Sequence, residues 1–282
     1  MSIRTYKPTT PGRRNSRVQD FSDITKHKPE KSLLAVIKKT GGRNNTGKIT
    51  VRHKGGGVKR MYRMIDFKQA TFDMPATIRA IEYDPNRGPR IALVSYENGE
   101  KRYILCEASM KVGDVVVSSK NKIEPLKGNR MPLAYIPAGM FVYNVELQPG
   151  KGGQIVRGAG NGAQLMVIEG MYAQLRLPSS ELRLVSRNCM ASVGQVGNSD
   201  YKLIRWGKAG RMRYRGIKPT VRGKNMNPVD HPHGGGEGHS PIGLKKGPRT
   251  KWGKPALGVK TRKPQQSDKF IVSRRKSSKK KH

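Results

Sequence analysis

The chain has 282 residues, of which 57 are Lys or Arg and 19 are Asp or Glu, a formal net charge of +38 at pH 7. Only 34% of residues are hydrophobic and 6% aromatic, thin for one compact globule of this length. No apolar run approaches the ~20 residues that span a bilayer, and the start, MSIRTYKPTTPGRRNSR, has no apolar segment of the kind a secretory leader needs.

The first stretch, residues 1–60, holds 16 basic and 3 acidic groups. Residues 61–200 hold 17 and 13, and residues 201–282 hold 24 and 3. Two highly charged arms therefore flank a nearly neutral middle. Self-repelling chain of this kind orders only when something neutralises it, and the best counter-charge on this scale is a polyphosphate backbone. An anionic membrane surface is the alternative. The arms are studded with Gly and Pro, however, and lack the amphipathic period of membrane-surface helices.

From about residue 60 the pattern reads as β. Ala76–Cys106 holds three strand-like runs, separated by Asp84–Pro89 and by Glu97–Glu100. Asn98-Gly99 is a strong hairpin signal, because both residues tolerate positive φ. Lys111–Ser119 supplies a further strand, and short strands at regular spacing argue for a small closed barrel. Lys120–Arg130 reads as a linker. A second β cluster begins with Ile136–Leu147, passes through the Gly-rich Gln148–Gln164, and ends in strands Leu165–Gly170, Tyr172–Ser180 and Glu181–Ser186. Two tandem barrels are expected, at about 60–125 and 126–200. Cys106 and Cys189 are too far apart for a local motif and are expected as buried free thiols in a reducing compartment.

Beyond Ser199 a brief helix is expected, capped by Ser199 and ended by Gly207. The rest of 201–282, with 12 Gly and 7 Pro, shows little apolar periodicity and should be largely unstructured in isolation. Its tail, Ser273–His282, is a charge run expected to be solvated or loosely phosphate-bound.

The stretch NPVDHPHGGGEGH, Asn227–His239, poses the sharpest chemical question. A metal site would use His231 and His233 with Asp230, Glu237 or His239. Pro228 and Pro232 bracket the pair and three glycines follow, so no strand presents both rings on one face. A hydrolase would recruit Ser240, but nothing suggests an enclosing pocket. The Gly-rich pieces HKGGGV, GKGG and HGGGEG lack the full Walker A spacing. They fit close backbone approach to RNA, with Gly55, Gly56, Gly57, Gly234, Gly235 and Gly236 letting main-chain N–H groups face phosphates. Arg52, Lys54, Lys59 and Arg60 stand beside the first piece and Lys151 within the second. In Trp206–Gly236, Arg211, Arg213, Arg215 and Arg222 can fork onto phosphates. Tyr214 and Trp206 can stack on bases or, alternatively, pack on the second barrel.

GGRNNTGKITVRHKGGG, YDPNRGPRIALV, IPAGMFVYNVELQPGKGGQ, GKAGRMRYRGIKPTVRG and MNPVDHPHGGGEG, in that order, closely resemble the bacterial form of ribosomal protein two of the large subunit. Tyr214 stands where the family pattern has tryptophan, and Ser240–Lys254 departs from it most. The resemblance implies a mainly β fold: an OB-fold RNA-binding barrel at 60–125, then an SH3-like barrel at 126–200. Long basic N- and C-terminal extensions, 1–59 and 201–282, would thread into large-subunit rRNA. It implies a place near the peptidyl-transferase region and subunit interface, in a cytoplasmic, bacterial-type ribosome, supporting assembly, subunit association and tRNA binding. The implied partners are large-subunit rRNA, neighbouring ribosomal proteins, the small subunit and, indirectly, tRNA, with no membrane. No cofactor is implied beyond Mg2+ as an rRNA counter-ion. In this family the histidine loop has been suspected of assisting peptide-bond chemistry; a positional, non-enzymatic role is expected here, the imidazoles donating to phosphate or base edges. Arg43, Asn44, Asn45, His53, Arg205, Lys208, Asn225 and Asn227, with His231, His233 and the cations and aromatics above, complete the expected RNA contacts.

Overall fold

The computed structural model describes residues 3–237, 240–257 and 262–275. The chain separates into two compact units. A barrel unit comprises Met1–Lys38, Lys59–Lys208 and Ser267–His282, and a basic unit comprises Lys39–Val58 and Ala209–Gln266. The strands are β1 (Ile3–Thr5), β2 (Arg17–Gln19), β3 (Leu34–Val36), β4 (Met61–Arg63), β5 (Ala76–Glu82), β6 (Ile91–Tyr96), β7 (Lys101–Leu105) and β8 (Val115–Val116). They continue with β9 (Arg130–Pro132), β10 (Phe141–Tyr143), β11 (Ala163–Glu169), β12 (Tyr172–Arg176), β13 (Leu182–Ser186), β14 (Met190–Val193) and β15 (Ile271–Ser273). Among the described residues two short α-helices are present, α1 (Pro11–Arg14) and α2 (Ala209–Tyr214).

The first sheet of the barrel unit has the order β7-β6-β5-β8, with antiparallel pairings. In β5, Ala76 and Ile78 face one side of the sheet; a bulge between Ile78 and Ala80 then switches the alternation, so that Ile81 returns to that side and Ala80 packs on the other. Nearly all of β6 is buried because both faces of the sheet are covered. Ile78, Val94, Ile104 and Val116 pack on one side; Ile91, Leu93 and Tyr103 pack on the other, against Leu33 and Ile65. A parallel bridge from Ile65 to Tyr103 brings the chain after β4 alongside β7 and curls the sheet. The turns obey the local chemistry. Buried Asp84 accepts the Asn86 N–H at 2.8 Å, and Asn98 accepts the Glu100 N–H at 3.0 Å. Gly99 sits at φ +80°, where a side chain would be strained.

The second sheet runs β15-β13-β12-β11-β10-β14-β9. Its core holds Leu133, Val142, Leu165, Leu175, Val185 and Val193. Arg130 and Glu146, both at most 1% exposed, face each other inside it at 3.1 Å. The N-terminal segment is tied to the first sheet by Arg90, which is 2% exposed and donates to Asp23 at 2.8 and 3.0 Å. Phe21 and Tyr83 flank the guanidinium at 5.1 and 5.8 Å. Cys106 and Cys189 are free and buried, as expected, and burial pushes each thiol up to about 12. The fold is mainly β, an OB-type barrel followed by an SH3-like one.

Several local expectations are corrected. The helix expected from Ser199 is a 3-10 turn, Ser199–Leu203, preceded by Asn198 in the left-handed region rather than capped by Ser199. It ends early because Arg205 pairs with the Arg17 backbone at 2.8 and 3.0 Å. The linker does not reach Arg130, which is a fully buried residue of β9. The Ile136–Leu147 strand contracts to β10, since Asn144 at φ +49° turns the chain. Of the charge run, Ser273 belongs to β15, paired with β13; Lys276–His282 lie outside the described residues, as does His239.

Candidate nucleic-acid interface

The basic unit carries 19 Lys or Arg against two acidic residues, Asp230 and Glu237. It is built by main-chain pairing between segments far apart in sequence. The Gly55 N–H donates to Gly216 O at 3.0 Å, the Val58 N–H to Tyr214 O at 2.9 Å, and the Lys218 N–H to His53 O at 3.0 Å. Gly57 is required by this approach: a Cβ there would lie 2.7 Å from Gly216 N and 2.9 Å from Tyr214 O. Gly234 is similarly pressed on its own chain, where a Cβ would lie 2.7 Å from Met226 O. The close approach present at these two glycines is therefore to the protein's own backbone.

Around that scaffold, Arg43, Asn45, Arg52, Lys54, Arg213, Arg222, Asn225 and Asn227 are exposed, while His53, Arg211 and Arg215 are half-buried. The Asn44 carboxamide oxygen accepts from the Thr46 N–H, the Thr46 hydroxyl and the Lys48 N–H at 2.8–3.1 Å, so that side chain shapes the Arg43–Ile49 turn. Tyr214, at the end of α2, is 66% exposed. Its ring is therefore not taken up by a core.

The remaining candidates belong to the barrel unit. Lys59, Arg205 and Lys208 are exposed and Trp206 is half-buried. Arg60 donates to Pro85 O at 2.9 Å. Lys151 crowns the loop Gln148–Gly153, whose Gly150 and Gly152 N–H groups both donate to Glu146 at 3.0 Å. A buried carboxylate thus fixes an exposed cation.

The histidine loop closes on itself. The Asp230 N–H donates to Asn227 O at 3.0 Å, and the Gly235 N–H to Met226 O at 3.0 Å. The His231 and His233 ring centroids are 4.8 Å apart. The His233 N–H donates to His231 Nδ1 at 3.1 Å, and the Arg249 N–H donates to His233 Nε2 at 2.8 Å. An accepting ring nitrogen carries no proton, so His231 holds its proton on Nε2 and His233 on Nδ1. Nothing in the sequence indicated that main-chain donors would fix these tautomers. Partial desolvation, then the His233 ring and the Arg52 guanidinium, hold the His231 pKa below its ordinary value. Each lone pair that a general base would use is engaged by a main-chain N–H.

Sequence reasoning also passed over Trp252, which is 64% exposed with Arg52 Cζ 5.2 Å from its ring centroid. A Gly immediately after a Trp within a basic stretch, Thr250-Lys251-Trp252-Gly253, is the turn signal that could have found it.

The family model for the RNA-binding N-terminal domain of ribosomal proteins L2 matches residues 30–118, and that for the C-terminal domain of the same proteins matches residues 126–253. Both domains occur in order across most of the sequence, so the chain belongs to the ribosomal protein L2 family and is a structural, rRNA-binding ribosomal protein rather than a conventional enzyme.

Proposed function

We propose that this chain works in the large subunit of a cytoplasmic, bacterial-type ribosome, beside the peptidyl-transferase region and the subunit interface. There it supports assembly, subunit association and tRNA binding. Large-subunit rRNA is its direct ligand. Neighbouring ribosomal proteins, the small subunit and, indirectly, tRNA are the further partners, with Mg2+ acting only as an RNA counter-ion. The observation that carries the reading is the basic unit, with 19 cationic residues against two acidic ones on a backbone tightened by its own hydrogen bonds. Such an excess is offset by displacing counter-ions from phosphates. Arg43, Arg52, Lys54, Arg213 and Arg222 offer the exposed cations and Tyr214 an exposed ring. The Met226–Gly238 motif and its family resemblance support the placement.

His231 and His233 act by position. Their lone pairs accept from the chain itself, which leaves an N–H on each ring to donate toward RNA. A crosslinking map on intact ribosomes tests the reading: Arg43–Lys54 and Arg211–His233 should crosslink to large-subunit rRNA, and crosslinks confined to other partners would refute it. Assembled particles carrying His231→Gln or His233→Gln should keep single-turnover peptide-bond formation within about tenfold of the parent. General acid–base participation would instead lower it by roughly 10²–10⁴-fold.

A further inference from the structure

The segment Pro248–Ala256 is a hairpin. Arg249 and Pro255 form an antiparallel bridge, and the Thr250 N–H donates to Lys254 O at 2.7 Å. The Gly253 N–H closes the turn on Thr250 O at 2.9 Å, and the Arg249 guanidinium donates to Gly253 O at 2.9 Å. Trp252 stands at the tip of this turn, 64% exposed. An indole so placed serves no core. Two cations attend its ring, Arg52 at 5.2 Å and Lys251 Nζ at 4.9 Å from the centroid.

The hairpin is not free to wander. Its Arg249 N–H is held by His233, whose own N–H is held by His231. Three segments remote in sequence, around Arg52, around His231–His233 and around Trp252, therefore converge on one aromatic surface. A π-face with cations over it suits a ligand that couples an aromatic ring to phosphates, the base taking the place of a cation on the ring and the displaced cation meeting the adjacent phosphate, which describes an unpaired nucleotide within a strand. An apolar protein partner would leave the cations unanswered.

We propose that Trp252 is a stacking platform for one unpaired RNA base, with Arg52 and Lys251 taking the adjacent phosphates and His233 anchoring the hairpin that presents it. This rests on the RNA-binding reading above and adds to it a base-contacting site within the segment least typical of the family pattern.

The test uses the full-length protein and two labelled probes, a short oligouridylate and an abasic ribose-phosphate chain of the same length. Oligouridylate has little self-stacking, so its bases are available. Trp252→Ala should weaken oligouridylate binding about tenfold and leave binding of the abasic chain within about twofold. Trp252→Phe, which keeps an aromatic face, should restore most of the difference. Oligouridylate should quench the Trp emission of the parent more than that of Trp252→Phe. His233→Ala should diminish the quench, whereas His233→Gln, whose amide oxygen can accept from the Arg249 N–H, should retain it. Equal binding of both probes by the parent and by Trp252→Ala, with no quench, overturns the stacking site and leaves the phosphate-binding reading intact. Binding of neither probe overturns both.

Discussion

Glu146→Gln isolates the carboxylate on which the Lys151 loop depends. Glu146 is 1% exposed and its partner Arg130 is 0% exposed. Oε1 accepts from Arg130 at 3.1 Å and from the Gly152 N–H at 3.0 Å; Oε2 accepts from the Gly150 N–H at 3.0 Å and the Met190 N–H at 3.2 Å. A glutamine preserves the volume, but whichever way the amide turns, its NH2 faces donors. Arg130 also loses its counter-charge, leaving burial, which already lowers its pKa, unopposed by Glu146. Breaking a buried pair costs about 3–5 kcal/mol, and each orphaned main-chain donor adds about 1–3 kcal/mol. A loss of at least ~4 kcal/mol is a large share of the 5–15 kcal/mol typical of a domain. At a urea slope of about 1–3 kcal/mol/M, the midpoint should fall by more than about 1 M. Hydrogen exchange should show Gly150 and Gly152 losing protection first. The double variant Arg130→Met, Glu146→Leu leaves no charge unpaired but still orphans the Gly150, Gly152 and Met190 N–H groups, so it should recover little of the loss. An unchanged midpoint with Gly152 still protected would refute the reasoning.

Asp23→Ala removes two of the three side-chain hydrogen bonds of Arg90 and leaves that to Gln19; because Asp23 is 21% exposed, a loss of about 3 kcal/mol, the lower end for a buried pair, is expected. Amide exchange in β2 should quicken with it, and unchanged exchange would argue against the tether. The Glu82 pKa is raised by burial, against the opposing hydrogen bond from Tyr103. A raised carboxyl contributes stability that is present below its unfolded value and lost as pH rises through the folded one. Glu82→Gln should therefore gain in melting temperature relative to the parent on going from pH 4 to pH 7, and a pH-independent difference would contradict this. The His231 ring should titrate with an NMR midpoint below 6.5, and Arg52→Ala should move that midpoint upward; a parent midpoint at or above 6.5 would show that the surrounding cations do not act on it.

The central strands were legible because their information is local. Alternation at the start of Ala76–Glu82 and the turns at Asp84 and Asn98-Gly99 depend on neighbouring residues alone. β9 escaped notice because Arg130 and Pro132 are poor strand signals, and Arg130 is buried only because Glu146 meets it from 16 residues away. β15, three residues at the edge of a charged tail, takes its conformation from the edge that β13 offers. At the candidate interface the residue types were legible, since cations and glycines declare themselves by composition. The meeting of His53–Val58 with Tyr214–Lys218 was not, because main-chain N–H and C=O groups carry no side-chain pattern.

That meeting sets a timetable. About 150 residues, Lys59–Lys208, separate the two segments of the basic unit. At a synthesis rate of roughly 5–20 residues per second, Lys39–Val58 waits on the order of 8–30 s before the acceptors at Tyr214 and Gly216 exist. Throughout that interval the strands β4 to β14 can form while Gly55 and Val58 hold out unanswered N–H groups. The positive charge of the leading segment arrives early in the life of the chain, and the shape that displays it arrives last.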